Sequence, residues 1–154
     1  MKNEIDLSRS RLKTPRAAAI AGIIFSILLI LIVILIRISI PPNPQDAGIW
    51  LSKSSKTVDL ALNLVPFAGI AFLWFIGVVR DRLGEFEDRF FSTVFLGSGL
   101  LFLAMLFAGA AITGGIIESY IIDPDRLINT GIYSFSRLTA YQILNIYAMS
   151  HEKI

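Results

Sequence analysis

Two long apolar runs joined by a short charged segment constrain this chain more than anything else in it: Leu60 to Val79, then Arg80 to Arg89, then Phe90 to Ile117. Each run reaches the ~20 residues that an α-helix needs to cross ~30 Å of hydrocarbon. Spanning backbone must satisfy its own N–H and C=O groups, so the segment reads as a helical membrane hairpin. A third run, Ala17 to Ile36, holds fourteen Ile, Leu, Val or Phe among twenty residues. At about 0.3–0.6 kcal/mol each near the bilayer centre, these favour insertion by several kcal/mol. The chain as a whole agrees, being 55% hydrophobic and 17% charged over 154 residues. A soluble domain runs closer to half and a quarter.

The expected fold is an all-α, polytopic transmembrane bundle with three spans and a partial or interfacial fourth helix. In order, the chain divides into a cytoplasmic basic tail (1–16), helix 1 (17–40), an extracytoplasmic loop (41–57), helix 2 (58–79), a cytoplasmic charged turn (80–89), helix 3 (90–117), a second extracytoplasmic loop (118–132) and the fourth helix (133–154). Ala17 to Ile36 is too long for a signal h-region and lacks a small-x-small cleavage site after it, so it reads as a retained signal anchor. Pro41, Pro42 and Pro44 end that helix. Trp50 is read as anchoring the following loop at the headgroups, with a short interfacial helix over a cavity as the alternative. The stop at His151-Glu152-Lys153-Ile154, with no capping or turn signal, predicts a longer parent protein.

Counting Lys and Arg sets the expected orientation. With the amino end inside, eight lie on inner segments (Lys2, Arg9, Arg11, Lys13, Arg16, Arg80, Arg82 and Arg89) against four outside (Arg37, Lys53, Lys56 and Arg126). The positive-inside rule then predicts a cytoplasmic amino terminus in the cell (inner) membrane.

Three groups of residues are candidates for a role. Asp59 and Asn63 start a stripe with Pro66, Ile70 and Gly77 that is expected to face protein, with Thr57 as N-cap and a kink near Leu62. As a polar site the pair would bind a cation; as local structure it caps the helix and bonds to a neighbour. Arg80, Asp81, Arg82, Glu85 and Arg89 form the charged turn, either a gate or a solvated surface, with Glu85 and Arg89 spaced to pair. Gly97, Ala104, Ala108, Ala111 and Gly115 step by seven, four, three and four along helix 3, a stripe of small side chains that lets another backbone approach closely. Gly114-Gly115 is the expected break in this helix. Arg137, Gln142 and Asn145 are tolerable in a fourth span only if buried against other helices.

The chemistry that remains is narrow. There is no Cys, and the single His is His151, so thiolate or bis-His metal centres cannot be built from this chain alone. No span offers a nucleophile with a base or a pair of catalytic carboxylates, so no catalytic residue, metal or cofactor is expected. The net charge of +2 comes from a tail and turns rather than an aromatic-interleaved patch, which argues against nucleic acid.

Gly77-Val78-Val79-Arg80-Asp81-Arg82-Leu83-Gly84 resembles the start of the G-x-x-x-D-R-x-G loop signature of major facilitator transporters, although Glu85, Phe86 and Glu87 stand where that family continues with basic residues. The run from Leu60 to Phe107, with Asn63-Leu64-Val65-Pro66-Phe67 and Arg80-Asp81-Arg82-Leu83-Gly84, looks like an uncharacterised group of small bacterial multi-pass membrane proteins. That likeness implies further spans but no activity. The function expected from all this is a structural or accessory subunit whose partners are the lipid bilayer and other membrane helices or subunits. The alternative is a transporter or channel fragment with ion binding at Asp59 and Asn63 and gating by the Arg80 to Arg89 turn.

Overall fold

The computed structural model describes residues 2–41, 48–86 and 89–148. Six helices follow one another: α1 (Lys2–Ser39), α2 (Ile49–Lys53), α3 (Ser55–Phe86), α4 (Arg89–Ile122), α5 (Pro124–Asn129) and α6 (Ile132–Ala148). No strand occurs among the described residues. Among the described residues, three segments are long and apolar enough to span a membrane: Arg16–Ser39, Ser55–Asp81 and Phe90–Ile122. The chain is thus an all-α bundle of multi-pass membrane type.

Several boundaries differ from the sequence reading, mostly because helices run on where no breaker stops them. The basic tail from Lys2 is helical and continuous with the first span, so the two form one helix, α1. Thr57 lies inside α3, whose first carbonyl acceptor is Ser54, bonded by Thr57 N–H at 3.0 Å and Val58 N–H at 3.1 Å. Residues 80–86 of the charged turn are helical, which leaves only 87–88, outside the described residues, between α3 and α4. The proposed break at Gly114-Gly115 is absent, and α4 continues to Ile122. Two helical glycines cost about 1 kcal/mol each in water, but buried Ile116 and Ile117 fix the next turn. In the second loop the Asp123-Pro124-Asp125 sequence starts a short helix, as its turn chemistry favours: α5 has Pro124 in its first turn and the Asp123 carboxylate accepting from Arg126 N–H at 3.0 Å. Pro42 and Pro44, the Ala47 end of the Trp50 loop and the chain after Ala148 lie outside the described residues.

α3 is the hub. It packs along α1 on one side and α4 on the other, while α6 turns back along α4. The α1–α3 seam is built on small residues: buried Ala61, Val65 and Ala68 receive Ile32, with Phe25, Leu28 and Leu35 around them. Close approach of backbones is what allows packing contacts to hold helices together where lipid already satisfies apolar groups. Phe25, Phe72 and Phe102 join all three spans, with ring centroids 4.8, 5.3 and 6.5 Å apart. At the end of the bundle where α1 finishes and α3 starts, a second cluster gathers Trp50, Leu51, Val58, Ile116, Ile117, Leu127 and Tyr133. This end cluster holds α2, α5 and α6 against the spans.

Candidate functional site

The end cluster encloses the only buried cationic side chain among the described residues, Arg137. Two glycines bring it there. Gly48 adopts φ +79°, a left-handed conformation that any Cβ would strain, and it turns α2 so that Trp50 and Leu51 point inward. Gly131, at φ +73°, reverses the chain between α5 and α6. On α6, Tyr133, Arg137 and Ala140 then share the buried face, as i, i+4 and i+7 spacing requires.

The polar groups of this face bond to one another. The Trp50 indole Nε1–H donates to the Tyr133 hydroxyl oxygen at 2.8 Å. Arg137 Nη1 donates to the same oxygen at 3.3 Å, and Nη2 donates to the Pro41 carbonyl at 2.6 Å. Pro41 lies just beyond the end of α1, where unpaired carbonyls concentrate partial negative charge. Arg137 therefore ties α6 to the end of the first span and meets that charge. Beside it lies a cavity of about 100 Å³ walled by Arg37, Trp50, Thr113, Arg137 and Tyr141 together with aliphatic groups of α1 and α4.

The residues singled out from the sequence lie elsewhere. Asn63 Nδ2 donates to Asp59 Oδ2 at 3.2 Å on an exposed surface. Pro66 and Ile70 are exposed with them, so the stripe faces away from the rest of the chain and not into it. The buried side of α3 is the opposite one, because Ala61 and Ala68 admit α1 more closely than a polar stripe would. Arg80 and Asp81 are exposed, and the Arg80 carbonyl accepts from Ser92 Oγ at 3.4 Å across the hairpin. The side chains of Arg82, Glu85, Arg89 and Asn145 lie outside the described residues, so the Glu85–Arg89 pairing does too. Gln142 is exposed.

On α4, Gly97, Ala104, Ala111 and Gly115 are exposed and Ala108 is half-buried. Nothing stands within 4 Å of a Cβ built at Gly97 or Gly115. The stripe lies about half a turn from Leu103, Leu106 and Ala110, the side of α4 that meets the bundle.

The close approaches inside the bundle use other glycines. A Cβ at Gly69 would come 2.8 Å from the Phe107 ring, one at Gly22 would come 3.0 Å from Phe75, and one at Gly99 would come 3.0 Å from Ile76. None of the three stands out in the sequence by spacing. Trp50 and Arg137 do, as a Trp in a proline-rich linker and a charge inside an apolar run.

Among the described residues no three of His, Cys, Asp or Glu gather as a metal site. The distinctive chemistry of the site is instead positive charge in a recess whose other described lining residues are neutral. Comparison with family models, with characterised proteins and with solved structures gave no match to this chain.

Proposed function

We propose that this chain is an accessory subunit of a bacterial inner-membrane assembly, inserted with its amino terminus in the cytoplasm, and that its α4 stripe docks a transmembrane helix of another subunit. The observation that carries the reading is the direction of that stripe. Four small residues, Gly97, Ala104, Ala111 and Gly115, are exposed on the side of α4 turned away from its own bundle, with the half-buried Ala108 between them. Elsewhere the outward surfaces carry bulky groups such as Ile23, Ile27, Phe67 and Trp74. Lipid chains do not need small side chains; a second backbone does.

The test is co-purification from mild detergent. Ala108→Phe, or Gly97→Leu combined with Ala104→Leu, removes a stoichiometric partner. Ile34→Phe, on the exposed side of α1, leaves it bound. Partner retention in the α4 variants would refute the docking face, and ion flux through liposomes holding the purified chain alone, abolished by Asp59→Asn, would replace it with a transporter.

A further inference from the structure

We propose that the cavity beside Arg137 binds an anionic phosphate group, gripped by the guanidinium groups of Arg37 and Arg137. Among the described residues, two arginines line this recess and no carboxylate does. Arg137 is only 7% exposed, and among the described residues its hydrogen bonds reach neutral oxygens alone, the Tyr133 hydroxyl and the Pro41 carbonyl. A guanidinium carries five N–H donors, so these two bonds leave donors for a further acceptor. They also leave the charge without a full counter-charge, which is costly in a buried setting. The planar fork of Arg suits a phosphate geometrically, and such charge-assisted bonds are about twice as strong as neutral ones.

Size and position narrow the ligand. A volume of about 100 Å³ is well under the 300–1,000 Å³ typical of pockets for drug-sized molecules, so a phosphate fits where a nucleotide does not. Arg37 and Tyr141 are exposed, which puts the opening between α1 and α6. Arg37 also lies in the last turn of the span Arg16–Ser39, the depth at which hydrocarbon gives way to headgroups. Two sources present this chemistry there: the phosphodiester of a membrane lipid, and free inorganic phosphate. The site uses none of the residues of the α4 stripe, so it stands or falls independently of the docking role.

Native mass spectrometry of the full chain in a phosphate-free detergent reads occupancy directly. The chain is mixed with phosphatidylglycerol, or with diacylglycerol of the same acyl chains. The wild type is expected to retain phosphatidylglycerol alone, and Arg37→Gln to lower that retention roughly tenfold or more with an unchanged thermal midpoint. Arg126→Gln, an exposed arginine at the same end, is expected to retain the lipid normally. Inorganic phosphate is titrated separately against the thermal midpoint. A rise that Arg37→Gln abolishes assigns the site to the free anion, and lipid retention without such a rise assigns it to the headgroup; either upholds the proposal. It is overturned by equal retention of diacylglycerol, by retention unaffected by Arg37→Gln, by equal loss in Arg126→Gln, or by neither probe binding. Lipid retention that appears only in Asp46→Asn also overturns it, because a carboxylate of the chain would then be the occupant. Asp46 lies outside the described residues.

Discussion

Tyr133 holds two donors on one oxygen, the Trp50 indole and the Arg137 guanidinium. Removing that oxygen while keeping the ring leaves both donors short of a partner inside the end cluster. Tyr133→Phe is therefore expected to destabilise the chain by about 1–3 kcal/mol, read as a lower thermal midpoint in detergent. Gly48→Ala fails for a different reason. Its φ of +79° disfavours any Cβ, and the new methyl would sit 3.3 Å from Leu51 and 3.5 Å from the Tyr133 ring. A loss of about 1–3 kcal/mol is expected from backbone strain, with Gly131→Ala milder, since φ is +73° there but the space around it is open. These single residues were half legible beforehand. Trp50 and Arg137 announce themselves by sitting where their chemistry is awkward, but their meeting across 83 and 96 residues with Tyr133 and Pro41 has no trace in local spacing. Only the turn angles of two glycines bring them together.

At the scale of the helix, the spans were legible and their faces were not. Hydropathy marks what crosses a bilayer, since a run of twenty apolar residues has few other homes. In water the apolar side of a helix also marks its buried side. In lipid it does not, because tails and protein interior are equally apolar and packing selects the inward face by shape. That is why the Asp59–Asn63–Pro66–Ile70 stripe of α3, attractive as a polar seam, lies outward, while Ala61, Val65 and Ala68 carry α1. It is also why Leu106, a bulky residue half a turn from the α4 stripe, packs on the Ile32 cluster. Two substitutions of identical chemistry separate inner from outer faces. Gly69→Leu drives a side chain into Phe107 and Leu103 and is expected to cost about 1–3 kcal/mol or more. Gly97→Leu meets open space within the chain and should leave the thermal midpoint of the isolated protein within about 0.5 kcal/mol of wild type.

For the molecule as a whole, length is informative. The segment Phe90–Ile122 has 33 residues, about 50 Å of helix against ~30 Å of hydrocarbon, so α4 tilts or projects from the membrane. Its far end is where α2, α5 and the start of α6 collect around Ile116 and Ile117, which gives the projecting turns protein to pack on. α6, with 17 residues, reaches only about 25 Å. Impermeant thiol labelling tests this layout in a chain that has no cysteine of its own. Cysteines at Lys53 and Asp125, both exposed, are expected to react from the same side of the membrane, and one at Glu85 from the other. Labelling of Lys53 and Asp125 in intact cells supports the cytoplasmic amino terminus, whereas labelling of Glu85 alone would invert it.

The chain carries two tryptophans, and they report on different surroundings. Trp50 is enclosed and hydrogen-bonded, whereas Trp74 is 61% exposed on the flank of α3. Trp74→Phe would leave one intrinsic fluorophore, whose emission colour tracks the integrity of the Trp50–Tyr133 bond without any added dye. Trp50→Phe would leave the other, which brominated acyl chains should quench. Loosening at one end of the bundle and contact with lipid along its side thus become separately visible in the same cuvette.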